Sequence, residues 1–195
     1  MLLSLFTIIF AYLLGSVSSA IVICKILHLP DPRNQGSGNP GATNVLRFGG
    51  KKAAIATLIG DVLKGVIPVL IARWLHVSDT TLALVAFAAF VGHLYPIFFR
   101  FQGGKGVATA FGCMIALSWP VGLLLAATWL ITAIVFRYSS LAALVTAILA
   151  PFYTFYFTNA IFTVMVIAMS LLLLYRHRKN IRNLMTGQES KIGRR

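Results

Sequence analysis

The fold depends on the stretch VATAFGCMIALSWPVGLLLAATWLITAIVFR, residues 107–137. Its thirty apolar residues before Arg137 are too many for one membrane helix of about 20 residues and too few for two full ones. Ser118, Trp119 and Pro120 offer a turn near the middle. The chain therefore either crosses a membrane once here or turns at Ser118 and comes back.

The distribution of positive charge favours the turn. The 195 residues include 17 Lys and Arg against 4 Asp and Glu. Fifteen of these cations lie in the loops or in the C-terminal tail, and a turn at Ser118 puts all fifteen on one face, as the positive-inside rule requires. We therefore predict seven transmembrane helices, with the N-terminus outside and the C-terminus in the cytoplasm. The other apolar stretches are Leu2–Leu27, Ala53–Leu75, Leu82–Phe99, Leu141–Phe157 and Ala160–Tyr175.

Composition indicates the same class of protein. Hydrophobic residues make up 58% of the chain and charged residues 11%, whereas soluble proteins are about 25% charged. We expect one all-α integral membrane domain over residues 1–195, a compact bundle. A net charge of +13 in a soluble protein would suggest nucleic acid, but here the cations occupy short loops, so no nucleic-acid partner is predicted. If the chain turns at Ser118, the helix from Val107 to Ser118 is only about 18 Å long, so neighbouring helices or a thinned bilayer must shield it.

The first polar loop contains GSGNPGATNVLR, residues 36–47. Glycines let successive backbone N–H groups converge on an anion, and Arg47 adds a fork for phosphate or carboxylate. The GxGxxG pattern is not a dinucleotide fingerprint, because a membrane helix precedes it. A tight connector is the alternative explanation. The candidate phosphate-binding residues are Ser37, Gly38, Asn39, Gly41, Thr43 and Asn44.

The second polar loop, RFQGGKG at 100–106, sets Lys105 among Gly103, Gly104 and Gly106 just before a helix. A helix start presents free N–H groups and a positive dipole end to an anion. We take these four residues as phosphate-binding candidates, with a plain turn as the alternative.

The tail, HRKNIRNL at 177–184, is a juxtamembrane basic cluster, and anchoring on anionic lipid explains its cations. It does not explain His177 and Asn180, which lie one helical turn apart on one face. A histidine there can donate to phosphate or accept a proton. Ser139 and Ser140 suit helix capping at the same face and are also candidate phosphate ligands.

Other polar residues point away from metal or thiol chemistry. The four acidic residues are scattered, so they cannot build a multi-carboxylate magnesium site. Asp61 and Lys64, at i,i+3 in an apolar segment, are interpreted as a structural pair. Cys24 and Cys113 are interpreted as packing residues. No histidine begins an HxxxxD pattern of the kind that acyl-CoA-dependent acyltransferases carry.

Three motifs in order resemble the acyl-phosphate-dependent glycerol-3-phosphate acyltransferases of bacterial membranes, the PlsY family. They are GSGNPGATNVLR at 36–47, GHLYPIFFRFQGGKG at 92–106 and HRKNIRNLMTGQE at 177–189. The resemblance implies transfer of an acyl group from acyl phosphate to the 1-hydroxyl of glycerol 3-phosphate, giving lysophosphatidic acid and inorganic phosphate. It also implies that neither coenzyme A nor a metal is needed, so no cofactor is expected.

The resemblance also assigns roles to residues. Arg47, Lys105, His177 and Asn180 become the catalytic set, with the second motif on glycerol 3-phosphate, and Glu189 becomes a brace that holds the tail against basic neighbours. The expected site lies on the cytoplasmic face of the bacterial inner membrane, in contact with lipid. Functional coupling would be to the enzymes that make acyl phosphate and that use lysophosphatidic acid.

Several alternatives remain open from the sequence. The proton acceptor is either His177 or a phosphate oxygen of the donor. A small transporter of organic phosphates would use the same basic loops for entry, although such proteins usually show inverted repeats and a midplane site. A scaffold that docks acidic partners on its tail would leave the two glycine-rich loops unexplained.

Overall fold

The computed structural model describes residues 1–193, which form nine α-helices, two short 3-10 turns and no β-strand. The all-α prediction is therefore confirmed. Arg194 and Arg195, two of the cations assigned to the tail, lie outside the described residues. The α-helices are α1 Leu2–Gly15, α2 Ser19–Ile26, α3 Ala42–Trp74, α4 Asp79–Leu94, α5 Val107–Leu117, α6 Trp119–Phe136, α7 Ser139–Phe157, α8 Ala160–Arg176 and α9 Arg178–Met185.

The predicted break at Ser118 is present. Helix α5 ends at Leu117 and α6 begins at Trp119, with Ser118 extended at φ −152° and ψ 101°. Pro120 lies in the first turn of α6, where its missing N–H removes no helical hydrogen bond. The long apolar stretch is therefore two helices, and the chain also divides here into two compact units, Met1–Leu117 and the part that starts at Ser118.

The apolar helices make this a multi-pass membrane protein. Within the described residues, four helical segments are long and apolar enough to cross a membrane alone, and up to six are if each of two bent pairs counts as one span. Helix α5, with 11 residues, is shorter than that. Seven crossings, the orientation of the termini and the single domain stay predictions.

The first apolar stretch was expected to be one helix, and this expectation is wrong. Helices α1 and α2 meet at an angle of 46° around Ser16–Ser18. Gly15 packs so closely on the backbone of Ala89 in α4 that a Cβ there would overlap it. Ser18 is extended, and the carbonyl of Val17 accepts a hydrogen bond from a side chain of α3. The buried donor thus satisfies one of the carbonyls that the break leaves without a helical partner.

Helix α3 begins eleven residues before the predicted start at Ala53, at Ala42. The second half of the first polar loop is therefore helical, up to an interruption at Gly50, which has φ 79° and ψ 178°. Arg47 consequently projects from a helical turn, not from a flexible loop. Part of the C-terminal polar tract is also helical, as α9.

Arg73 closes the C-terminal end of the short α5. Its guanidinium donates to the carbonyls of Ala116 at 2.9 Å and Leu117 at 3.1 Å. The last carbonyls of a helix have no intrahelical donor, so a cation there satisfies them and favours the negative end of the dipole. This cap stabilises a helix that is too short to cross a bilayer by itself.

Replacing Arg73 by Leu is expected to lower the free energy of unfolding by about 1–2 kcal/mol, since two charge-assisted hydrogen bonds are lost. The melting temperature should fall by about 2–4 °C per kcal/mol for a chain of this size. Thermal unfolding in detergent measures the change. An unchanged melting temperature would show that the cap contributes nothing.

Candidate phosphate-binding site

The first polar loop is shaped by Asn44. Its side chain is buried in the first turn of α3, and its amide nitrogen donates to the carbonyls of Pro32 and Gln35, both at 2.9 Å. Its amide oxygen accepts the backbone N–H of Ser37 at 2.9 Å. Both amide hydrogens are therefore used inside the protein, so the expected role of Asn44 as a phosphate ligand is corrected to that of holding the loop.

Two glycines of this loop occupy positions that other residues would strain. Gly36 has φ +54°, and a Cβ there would overlap the side-chain oxygen of Asn44, while Gly38 has φ +70°. The left-handed region favours glycine. Gly41 is extended and caps α3, and its N–H bonds the carbonyl of Asn39. The N–H groups of Gly38 and Gly41 both bond carbonyls inside the loop, so these glycines serve turns and do not offer those N–H groups to an anion.

The two arginines beside this loop differ in their partners. Arg33 binds Asp31, with Nη2 at 2.6 Å from Oδ2. This side-chain hydrogen bond from Arg33 lowers the pKa of the Asp31 carboxyl below its ordinary value. The side chain of Arg47 is exposed and makes no hydrogen bond or ion pair within residues 1–193. Of the two guanidinium groups, Arg47 is the one available to an anion, as are the side chains of Ser37 and Asn39.

The second loop is a succession of tight turns that leads into α5. The N–H of Phe101 donates to the carbonyl of Pro96 at 2.9 Å, and that of Gly104 to the carbonyl of His93 at 3.1 Å. Arg100 and Phe101 both have positive φ, +54° and +58°, which costs about 1–2 kcal/mol per residue other than glycine. Such strain persists only where the surroundings enforce it.

The glycines of the GGKG segment allow close packing against α4. A Cβ on Gly103 would overlap the carbonyl of His93, and one on Gly104 would overlap the His93 ring. Gly106, with φ +89°, has no room for a Cβ beside the ring of Phe90. Lys105 is half-buried and lies two residues before the start of α5, near the positive end of that helix, which favours an anion.

A cavity of about 470 Å³ opens between the two loops. Its lining residues are Arg33, Asn34, Phe98, Phe99, Arg100 and Gln102. It is an open surface depression, and none of the predicted phosphate-binding residues lines it. Sequence reasoning did not single out these residues, because neither spacing nor composition indicates that residues 33–34 and 98–102 share a cavity.

In the second unit, Glu189 ties the tail to the start of α7. Its Oε1 accepts the hydroxyl of Ser140 at 2.6 Å and the amide of Asn180 at 2.8 Å. The tail runs on past Glu189, and the N–H of Ile192 donates to the carbonyl of Arg137 at 2.6 Å. The side-chain partners of Glu189 within the described residues are a hydroxyl and an amide, not the basic neighbours that were expected.

The two serines do not cap the helix. Helix α7 begins at Ser139 itself, its N-cap is Tyr138, and no side chain caps it. Ser140 is buried and its hydroxyl is donated to Glu189. The hydroxyl hydrogen is thus used within the tail contact, although its oxygen keeps lone pairs.

His177 lies at the 58° bend between α8 and α9, and 3% of its surface is exposed. Its Nδ1 is 2.9 Å from the carbonyl oxygen of Leu173. A carbonyl can only accept, so Nδ1 carries the hydrogen, and in the neutral ring Nε2 then carries the lone pair. In this tautomer Nε2 can accept a proton and, once protonated, can donate a hydrogen bond to an anion.

Replacing Glu189 by Ala removes the acceptor that Ser140 and Asn180 share, at about 1 kcal/mol for each hydrogen bond. Hydrogen exchange of the tail amides is expected to rise about 30-fold, since local opening reports local stability. Glu189→Gln keeps the Oε1 acceptor and is the matched control. Equal exchange rates in the alanine variant and the wild type would show that the Glu189 hydrogen bonds do not stabilise the tail.

The structure brings some predicted residues together and leaves others in separate units. Unit one contains the two glycine-rich loops with Arg47 and Lys105, and unit two contains His177, Asn180 and Glu189. The predicted Asp61–Lys64 pair is confirmed, at 2.9 Å. Within the described residues, no three His, Cys, Asp or Glu side chains are grouped so as to hold a metal ion.

Comparison with known proteins identifies relatives of nearly full length. The chain is 57% identical over 185 residues to the glycerol-3-phosphate acyltransferase of Methylococcus capsulatus, covering 94% of this chain and 93% of the relative. It is 55% identical over 194 residues to the enzyme of that name from Shewanella loihica, covering 100% and 95%.

Solved structures agree in fold. The crystal structure of PlsY (YgiH), an integral membrane glycerol 3-phosphate acyltransferase, in its glycerol 3-phosphate form, matches with a TM-score of 0.92 and 44% identity over 97% of this chain and 96% of that chain. The lysophosphatidic acid form matches with a TM-score of 0.90 and 42% identity over 97% and 95%. The model of the family described as glycerol-3-phosphate acyltransferase matches residues 5–187, so the chain belongs to this family.

Proposed function

We propose that this chain transfers a fatty acyl group from acyl phosphate to the 1-hydroxyl of glycerol 3-phosphate, giving 1-acyl-glycerol 3-phosphate and inorganic phosphate. The observation that carries the acyltransferase function is the family match through residues 5–187. Two of its structural relatives are described in glycerol 3-phosphate and lysophosphatidic acid forms. No comparison supports the alternative of a phosphate transporter.

The chemistry of the loops supports acyl phosphate as the donor. Both reactants then carry a phosphate, and a protein that joins them must offset two sets of negative charge. Two separate cations, Arg47 on α3 and Lys105 before α5, suit this task, and Arg47 has no ion pair within residues 1–193. We assign Lys105 and its glycines to glycerol 3-phosphate and Arg47 to the phosphate of the donor.

The reaction itself needs little covalent help from the protein. The 1-hydroxyl oxygen attacks the acyl carbonyl carbon, the bond between that carbon and the bridging oxygen breaks, and phosphate leaves with that oxygen. Orientation of two bound reactants can supply about 7–11 kcal/mol of the barrier. Cys24 and Cys113 are buried, and Cys113 donates to the carbonyl of Ala86. An acyl-enzyme on either thiol is therefore disfavoured.

His177 is assigned to the proton of the attacking hydroxyl. Its Nδ1 faces the carbonyl of Leu173 at 2.9 Å, so Nε2 is the nitrogen able to accept that proton. The phosphate of the donor is the rival acceptor. Asn180, whose amide is oriented by Glu189 at 2.8 Å, is assigned to orienting a substrate oxygen.

The cytoplasmic face of the bacterial inner membrane is the proposed location of the reaction. The basic loops and tail support this placement through the positive-inside rule. A soluble phosphorylated acceptor would arrive from the water, whereas a fatty acyl donor would arrive from lipid. The enzymes that make acyl phosphate and those that use lysophosphatidic acid are then expected to act at the same face.

Donor choice tests the proposal. Purified protein in lipidic phase with EDTA is given glycerol 3-phosphate and either palmitoyl phosphate or palmitoyl coenzyme A. Lysophosphatidic acid is expected from the phosphate donor alone. Product from coenzyme A thioester and none from acyl phosphate would overturn the assignment of the donor while leaving the acyltransferase function intact.

A further inference from the structure

Three ionisable side chains form a buried cluster that the reaction does not use directly. Asp61 Oδ1 lies 2.9 Å from Lys64 Nζ and 3.5 Å from His93 Nδ1. The three side chains are between 4% and 6% exposed. Charges inside an apolar bundle are costly, so they persist where they pair and where they contribute to function.

The cluster joins four elements of the first unit. Lys64 Nζ donates at 2.8 Å to the carbonyl of Val17, in the break between α1 and α2. The backbone carbonyl of Asp61 accepts the hydroxyl of Thr109 at 2.9 Å, in the first turn of α5. Lys64 thus neutralises Asp61 and binds the break between α1 and α2. Asp61 also binds α5, the helix that follows the GGKG segment.

His93 connects this cluster to the GGKG segment itself. Its backbone carbonyl accepts the N–H of Gly104 at 3.1 Å. Its ring fills the space beside Gly104 so completely that a Cβ on Gly104 would overlap Nε2. The imidazole therefore has the Asp61 carboxylate at its Nδ1 edge and the loop backbone at its Nε2 edge.

We propose that His93 is a positioning residue: Asp61, held by Lys64, lies against its ring, and the ring fixes the Gly103–Gly106 backbone that carries Lys105. This inference rests on the proposed function, in which Lys105 and its glycines bind glycerol 3-phosphate. Small displacements of a binding group cost up to about a hundredfold in rate. A support built from closely packed side chains, with the Asp61 carboxylate beside the imidazole, prevents such displacements.

A purely structural role predicts a different pattern of defects. If the cluster serves folding alone, His93→Ala lowers the melting temperature and the amount of active protein but leaves the KM of the active fraction unchanged. If His93 positions the loop, His93→Ala raises the KM for glycerol 3-phosphate about tenfold or more, with the KM for acyl phosphate nearly unchanged. Arg73→Leu, which removes the cap on α5 at its other end, is the control for lost stability alone.

A double-mutant cycle on His93 and Gly104 provides the direct test. Gly104→Ala alone is expected to lower kcat/KM for glycerol 3-phosphate at least about tenfold, because its methyl group meets the ring. In the His93→Ala background the space is open, and the same change should cost less than about twofold. Should His93→Ala not fold, His93→Asn keeps a donor towards Asp61, lacks the Nε2 edge, and takes its place with the same expectation.

The outcomes separate this inference from the function on which it rests. A wild-type protein without acyl transfer to glycerol 3-phosphate refutes the proposed function. If the wild type is active but the effects of His93→Ala and Gly104→Ala on kcat/KM multiply independently, only the role of His93 is refuted. Hydrogen exchange of residues 103–106 adds a readout that needs no substrate: it should rise in His93→Ala and stay at the wild-type level in Arg73→Leu, and an unchanged rate in His93→Ala would overturn the proposal.

Discussion

Replacing His177 by Ala is expected to lower kcat by about 100- to 10,000-fold, the usual contribution of a general base. The KM values for both substrates should change only a few-fold, because the proton moves in the transition state and not on binding. Initial rates of phosphate release, measured over the full range of both substrates, provide kcat and KM separately.

Two controls sharpen this result. His177→Gln keeps a polar side chain at the bend between α8 and α9 but cannot accept a proton at neutral pH, so it should be as inactive as the alanine variant. Retention of kcat in either variant would remove His177 from the proton transfer and leave the phosphate of the donor as the acceptor. Equal melting temperatures for the wild type and His177→Gln exclude misfolding as the cause.

Replacing Arg47 by Ala is expected to lower kcat/KM for acyl phosphate at least about 100-fold, which corresponds to about 2.8 kcal/mol. Arg47 is the exposed guanidinium of the first motif without an ion pair within residues 1–193. Its loss leaves the charge of the donor phosphate uncompensated. Titration of initial rates with acyl phosphate at saturating glycerol 3-phosphate measures the effect.

The charge itself and its geometry can be separated by further variants. Arg47→Lys keeps the charge but loses the two-pronged contact with phosphate, so it should recover part of the activity and not all of it. Lys52→Gln removes the same charge from an exposed position on α3 beyond the interruption at Gly50, and its kcat/KM should stay within about twofold of wild type. Equal losses of kcat/KM in Arg47→Ala and Lys52→Gln would mean that the total positive charge of the loops matters and the position of Arg47 does not.

The coarse architecture was predictable from the sequence because lipid restricts the backbone so strongly. A thirty-residue apolar stretch with proline near its middle had to end and restart, and Ser118 is the extended residue between the two helices. The buried pairing of Asp61 with Lys64 followed from the cost of isolated charge and the i,i+3 spacing. Both predictions rest on local chemistry.

Features that depend on how helices pack were not predictable in the same way. Asn44 was counted among the phosphate ligands, but the early start of α3 turns its side chain inward against Pro32 and Gln35. His93 lay within a recognised motif without an assigned role, since its neighbours Asp61 and Gly104 approach it only through tertiary contact. A sequence motif shows which residues are present, whereas the direction of each side chain depends on the helix that carries it.

Isotopic labelling of the donor distinguishes direct acyl transfer to glycerol 3-phosphate from the other functions. Purified protein in lipidic phase, with EDTA and without coenzyme A, is given acyl phosphate whose bridging oxygen is ¹⁸O, and glycerol 3-phosphate is then added. Addition of glycerol 3-phosphate is expected to start equal release of inorganic phosphate and lysophosphatidic acid, with the label entirely in the phosphate. No release from intact donor, or release that does not depend on glycerol 3-phosphate, would contradict it.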